Sequence, residues 1–188
     1  HRYNATVFGY IGELCRYLLN QPPSDQDRNH RATSMLGNGL RPSIWKEFKD
    51  RFGIETIAEL YASSEGNIGF SNFFNQNNTV GLSTAPYKLV KFHDGTRDPV
   101  RNEKGVMQEV TKGTPGLLIG EITKKWSFEG YTQKEATEKS ILRDAFKTGD
   151  AWFNTGDVLR EIGCRHLQFV DRMGDTYRWK GENVSTNE

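Results

Sequence analysis

The chain has 188 residues, 35% of them hydrophobic, and 25 basic side chains against 24 acidic ones. That length can bury a sizeable core, and a net charge of +1 lacks the one-signed excess that a nucleic-acid or membrane-surface tail needs. No apolar run approaches the roughly 20 residues of a membrane span, and the opening His1-Arg2-Tyr3-Asn4-Ala5-Thr6 is no lead into a signal core.

Apolar positions at Phe8, Ile11, Cys15, Leu18 and Leu19 come close to helical spacing and predict a helix over Val7–Leu19, closed by Pro22 and Pro23. A short strand over Arg31–Leu36 runs into Gly37-Asn38-Gly39. Pro42 then opens a helix whose apolar face is Ile44, Trp45, Phe48 and Phe52, and Gly53 stops it. Ile54–Tyr61 reads as a strand with Ile54, Thr56, Ala58 and Leu60 on its less polar side. Asn-rich Ser71–Thr79 reads as a loop.

Beyond it, Tyr87–Phe92, Gly105–Val110 and Gly116–Thr123 read as short strands bounded by Gly, Pro, Asp and Asn. Thr132 and Glu135 have the spacing of a capping box, predicting a helix through Ala136, Ile141, Leu142 and Phe146 up to Gly149. Trp152–Thr155, Val158–Ile162, His166–Asp171 and Thr176–Lys180 complete the strands, with Gly163-Cys164-Arg165 as a hairpin turn. The fold class is α/β, with a βα layer first and an irregular, mostly antiparallel β region second. Cys15 and Cys164 lie far apart and form no Cys-x-x-Cys pair, which predicts free thiols in a reducing compartment. Without an initiating Met, the chain is read as an internal stretch.

Four segments offer chemistry. Gly37-Asn38-Gly39, between strand and helix, lets a planar or anionic ligand approach the backbone, or is simply a tight turn. Tyr61-Ala62-Ser63-Ser64-Glu65-Gly66-Asn67 brings an aromatic plate, hydroxyls and a carboxylate to a strand C-terminus, where open α/β sheets bind ligands; a capped polar loop is the alternative. Asp157, just after Gly156, could accept two hydrogen bonds from a diol or merely occupy a β-turn. Arg172, in Asp171-Arg172-Met173-Gly174-Asp175, offers a fixed cationic fork, or a surface ion pair. The histidines do not cluster, and no Gly-x-Ser-x-Gly elbow or phosphate loop ending in Gly-Lys-Ser/Thr occurs.

In order, Tyr10–Leu19, Gly37–Arg41, Tyr61–Asn67, Phe153–Asp157 and Asp171–Thr186 resemble the fatty-acid transport proteins, also called very-long-chain acyl-CoA synthetases. The run Arg178-Trp179-Lys180-Gly181-Glu182-Asn183-Val184-Ser185 is the most specific match. The resemblance implies part of the large lobe of an adenylate-forming enzyme: residues 1–66 the βα part with the adenine and metal site, 67–172 a β-rich subdomain with one helix, 173–188 the interlobe hinge and the start of the small lobe.

It further implies an AMP-forming ligase that joins a fatty acid to coenzyme A using ATP and Mg²⁺. Gly37, Asn38 and Gly39 would line the adenine pocket, Tyr61 would stack on the base, and Ser64 would bond a phosphate oxygen. Glu65 would hold Mg²⁺, Asp157 the ribose hydroxyls with Arg172 beside them, and Gly174 with Asp175 would form the hinge. Where the family usually has Gly-x-Thr-Glu, this chain has Ala62-Ser63-Ser64-Glu65. The family's earlier phosphate loop and later catalytic lysine are not in the stretch, so the 188 residues alone are expected to be inactive. The implied location is cytoplasmic, or on a membrane facing the cytoplasm, and exposed sheet edges suggest self-association. The other readings are a fatty-acid uptake component without catalysis and a ligase for another acid such as a bile acid.

Overall fold

A computed structural model of the chain describes residues 3–63, 66–93 and 98–172, together with the backbone of 176–179 and 182–185. Three parallel strands come first, β1 (Val7–Ile11), β2 (Ser34–Asn38) and β3 (Thr56–Ala62), side by side in that order. Helix α1 (Gly12–Leu19) follows β1, and α2 (Pro42–Phe52) follows β2. Strand β4 (Gly69–Ser71) adds to β3 in the antiparallel sense.

The helix predicted over 7–19 is therefore real only in its second half. In β1 every second residue faces one way, and that alternation merges with the helical spacing of α1 closely enough to mimic one long periodicity. Prediction and structure agree for α2. Pro42 occupies its first turn, Trp45 and Phe48 are buried, and Gly53 closes it in the left-handed region at φ 66°. Tyr10, Cys15, Met35, Trp45, Phe48 and Ile57 form the core between sheet and helices. Each large apolar side chain there contributes on the order of 2 kcal/mol by leaving water.

The β3 faces are the reverse of the expected ones. Ile57 and Glu59 are buried towards the helices, whereas Thr56 and Leu60 are exposed. A hydropathy pattern assigns a carboxylate to solvent, but Glu59 is 1% exposed because donors meet it inside. It accepts the Tyr10 hydroxyl on Oε2 and the Leu40 N–H, at 3.2 Å, on Oε1. Burial nevertheless prevails over these bonds and lifts its pKa from 4.5 to about 7. Cys15 is buried beside this group, and its thiol is pushed up to about 12, first by desolvation and then by Glu59. Cys164, by contrast, is exposed in a turn, and both cysteines are free.

The second region is antiparallel, as expected. Strands β5 (Tyr87–Val90), β6 (Gly116–Glu121), β7 (Ile141–Arg143) and β8 (Ala151–Gly163) lie in the order β5-β6-β8-β7. Strand β9 (His166–Arg172) pairs with β8 through the predicted hairpin turn at Cys164 and Arg165, both in the left-handed region. Strands β10 (Thr176–Trp179) and β11 (Glu182–Ser185) form a further hairpin. Gly105–Val110 makes only isolated bridges, at Met107 and Glu109. Trp152–Thr155 and Val158–Ile162 are one strand, β8. A second core, including Phe70, Leu118, Leu159 and Leu167, joins β4 to this region, and a third packs beneath Trp152.

The helix predicted from Thr132 to Gly149 shrinks to α3 (Lys134–Lys139), and Thr132 with Glu135 forms no capping box. Ile141–Arg143 pairs with β8 instead. The competing partner is Asp150, whose carboxylate accepts N–H groups of Ala145 (2.6 Å), Phe146 (3.0 Å) and Lys147 (3.2 Å) and the indole N–H of Trp152 (3.0 Å). A helix through Phe146 would need those backbone donors for itself. Among the described residues no helix is long and apolar enough to cross a membrane.

Two outcomes follow for stability. Burial would raise the Asp150 pKa, but its indole and backbone donors prevail and pull it below the usual carboxylate value. Asp150→Ala should cost about 3 kcal/mol in urea denaturation at pH 7. That cost should shrink on acidification, because wild type loses this contribution as pH falls through the depressed pKa. Glu59 behaves oppositely. With its folded pKa raised, its favourable contribution is complete below about 4.5 and is lost as pH rises through about 7. The stability of Glu59→Gln relative to wild type should therefore improve across that window, by roughly 3 kcal/mol.

Candidate functional site

Strand β8 changes register where the sequence reads Asn154-Thr155-Gly156-Asp157. Opposite it, β6 advances two residues, Leu117 to Ile119, while their partners in β8 run four, Val158 back to Asn154. The surplus forms a bulge that local side chains hold. Asn154 Oδ1 accepts the Gly156 N–H at 3.0 Å, and Thr155 Oγ1 accepts the Asp157 N–H at 3.1 Å while donating to the Leu118 carbonyl. Bulges re-aim side chains in this way near binding sites. A β-turn, the plainer alternative for Asp157, is not what forms.

The re-aimed Asp157 meets two side chains that the sequence singled out. Tyr61, at the end of β3, donates its hydroxyl to Oδ2 at 2.6 Å. Arg172, its cross-strand partner on β9, brings Nε to 3.6 Å from Oδ1. Among the described residues Oδ1 accepts no hydrogen bond, although it is buried. Burial raises the Asp157 pKa, and the Tyr61 bond and the Arg172 charge oppose that rise. The Tyr61 phenol is pushed far above its ordinary value, by burial first and by Asp157 next, so it stays a neutral donor.

These groups border one open cleft of about 1030 Å³ between the parallel sheet and the β region. Asn38, Gly39, Tyr61, Asp157 and Arg172 all line it, so segments up to 134 residues apart in sequence (Asn38 to Arg172) converge on one site. Gly37 does not line it and lies within β2. Ser64, Glu65, Gly174 and Asp175 lie outside the described residues; Ser63, next to Ser64, is at the cleft wall. Among the described residues no group of three His, Cys, Asp or Glu side chains could hold a metal ion.

Sequence reasoning missed Glu59 and Tyr10. Glu59 also lines the cleft. The available signal was an acidic residue inside the apolar run Ile57-Ala58-Glu59-Leu60 of a parallel strand, which has to find partners if it is buried. Tyr10 was concealed by the helix reading. Chemically, the cleft presents an aromatic ring, bare glycine backbone and a carboxylate with one uncommitted oxygen beside a guanidinium. That set suits a ligand combining a flat ring, hydroxyl groups and negative charge.

No protein-family model matches the chain. It is 51% identical over 184 residues to the medium/long-chain-fatty-acid–CoA ligase FadD6 of Mycobacterium tuberculosis, covering 98% of this chain and 31% of that protein. It is 48% identical over 194 residues to long-chain fatty acid transport protein 2 of Rattus norvegicus, covering 100% of this chain and 31% of that one. The chain thus spans about a third of the length of the curated relatives it matches. Among solved structures, ATP-bound MatB from Rhodopseudomonas palustris superimposes with a TM-score of 0.63 at 19% identity, covering 96% of this chain and 33% of that chain. The anthranilate CoA ligase AuaEII in complex with anthranoyl-AMP gives 0.60 at 16%, covering 98% and 33%. The fold is thus a partial adenylate-forming ligase fold. Over its whole length the chain is similar to one stretch of the fatty acid transport proteins and fatty-acid–CoA ligases, with about half its residues identical to the two relatives named.

Proposed function

We propose that the protein containing this stretch is an AMP-forming fatty acyl-CoA ligase and that the stretch supplies the nucleoside side of its active site. The observation that supports this most is the convergence of Tyr61, Asp157, Arg172 and Gly39 on one cleft in a chain so similar to fatty-acid–CoA ligases. Adenine lies against Tyr61 and the backbone of Asn38 and Gly39. The ribose hydroxyls donate to Asp157 Oδ1, which is desolvated and has no other hydrogen-bond donor among the described residues.

A fatty carboxylate oxygen attacks the α-phosphorus of ATP, the bond to the bridging oxygen breaks, and pyrophosphate leaves. The coenzyme A thiolate then attacks the acyl carbon of the acyl-adenylate, and AMP leaves with the bonding electron pair. Fixed groups count in such a reaction because the transition state gathers negative charge. Asp157 and Tyr61 contribute position: they anchor the nucleoside so that its α-phosphate is presented to the acid. Arg172 partly offsets the charge of Asp157.

The donor set also bears on the metal. Oδ2 of Asp157 is taken by Tyr61 and Oδ1 lies beside the Arg172 guanidinium, whose positive charge disfavours a metal cation there. A Mg²⁺ ion needs only one or two carboxylates, with phosphate oxygens filling its shell, and Glu65 suffices for that role. Bound there, Mg²⁺ supplies charge neutralisation on the phosphates. Ser64 bonds a phosphate oxygen, and Gly174 with Asp175 is the hinge on which a smaller lobe turns. With ATP and coenzyme A as substrates, the reaction faces the cytoplasm.

Fatty-acid-dependent ATP–pyrophosphate exchange by the full-length protein tests this reading. Asp157→Ala should raise the KM for ATP by about tenfold or more, since a charged hydrogen-bond acceptor is lost. Glu65→Ala should lower the exchange rate about a hundredfold. Undiminished exchange in both variants overturns the assignment.

A further inference from the structure

Residues of the parallel sheet lie in lateral rows. Phe8, Met35 and Ile57 form one row across β1, β2 and β3, and Tyr10, Gly37 and Glu59 form the next row on the same face. The first row is apolar core. The second has a polar group at each end and no side chain in the middle. A Cβ on Gly37 would come within 2.7 Å of Tyr10 Cδ1 and 2.0 Å of the Tyr10 carbonyl oxygen. That vacant space lets the Tyr10 ring lie over β2, and its hydroxyl reaches Glu59 Oε2.

The other oxygen of Glu59 faces the cleft loop. Oε1 accepts the Leu40 N–H at 3.2 Å, at the residue that follows Gly39 in the loop. Chain leaving the end of a strand has amide donors that the sheet does not satisfy. Here one buried carboxylate takes such a donor, the Leu40 N–H, at the point where β2 turns towards α2. Cys15 on α1 and Tyr10 on β1 are the titratable neighbours that sense the carboxylate charge. An apolar side chain in this place would often stabilise the fold as well or better. Packing alone therefore does not account for an acid that is 1% exposed.

We propose that Glu59 is a positioning residue for nucleotide binding: it holds the Gly39–Leu40 backbone, with Tyr10 clamping it from the far strand, in the shape that receives the base. The inference rests on the nucleotide reading above and extends it to a group that reaches the ligand only through that loop. Gly37 acquires a role in the same way. It leaves room for the clamp and does not itself touch the ligand.

The test is ATP–pyrophosphate exchange in the full-length protein, varying ATP and fatty acid in turn, with a thermal melt of each variant. In Glu59→Met the KM for ATP should rise about tenfold, with the KM for fatty acid within twofold of wild type and no loss of melting temperature. Glu59→Gln, which can still accept from Leu40 and donate to the Tyr10 oxygen, should recover ATP affinity to within about threefold of wild type. If Glu59→Met leaves the KM for ATP unchanged while Asp157→Ala raises it, the positioning role is overturned and the nucleotide reading stands. If neither variant changes it, the nucleotide reading falls and this inference with it. Equal losses towards both substrates mean general loosening and also overturn the proposal. Should Glu59→Met fail to fold, Tyr10→Phe decides: a threefold or larger rise in the KM for ATP supports the clamp, and an unchanged value overturns it.

Discussion

The hydrogen bond from Tyr61 to Asp157 ties together the two halves of this fold. One partner ends the last parallel strand and the other sits in the bulge of the longest antiparallel strand. Around it runs the shared core of Phe70, Leu118, Leu159 and Leu167, which supplies cohesion without direction. The bond supplies direction, since a 2.6 Å contact between a phenol and a carboxylate tolerates little sliding of one sheet over the other. The cleft is the gap left above that seam.

Three buried carboxylates show how one kind of group is put to different uses. Asp150 is surrounded by donors, remains ionised and organises a loop. Asp157 has one donor and one nearby cation, so it is held in place while its Oδ1 accepts no hydrogen bond among the described residues. Glu59 is the most deeply buried of the three and its partners do not fully compensate for desolvation. Burial is common to all; the number and charge of the neighbours separate scaffold from site.

Legibility in the sequence followed how local each determinant is. Helix α2 could be read outright because Pro42, its apolar stripe and Gly53 all act within a few residues. The hairpin at Cys164 was legible for the same reason. The helix predicted across Thr132–Gly149 failed because Asp150 draws on donors from across its loop and β8 recruits Ile141–Arg143, and neither partner appears in a local pattern. Tyr61, Asp157 and Arg172 were legible as chemistry from their segments. Their meeting depended on a bulge of unequal register between β6 and β8, which no spacing rule in one strand displays. Glu59 escaped because hydropathy counts a carboxylate as solvent-facing whatever its neighbours.

The two thiols make the molecule its own reporter of breathing. Cys164 is open to a labelling reagent at all times, whereas Cys15 lies wholly enclosed and its thiolate is suppressed by the burial and charge around it. A reagent can modify Cys15 only when α1 lifts from the sheet, so the ratio of the two labelling rates measures how often that layer detaches. The gauge needs no introduced cysteine, and its inner thiol shares a core cluster with Leu40 of the proposed nucleotide loop.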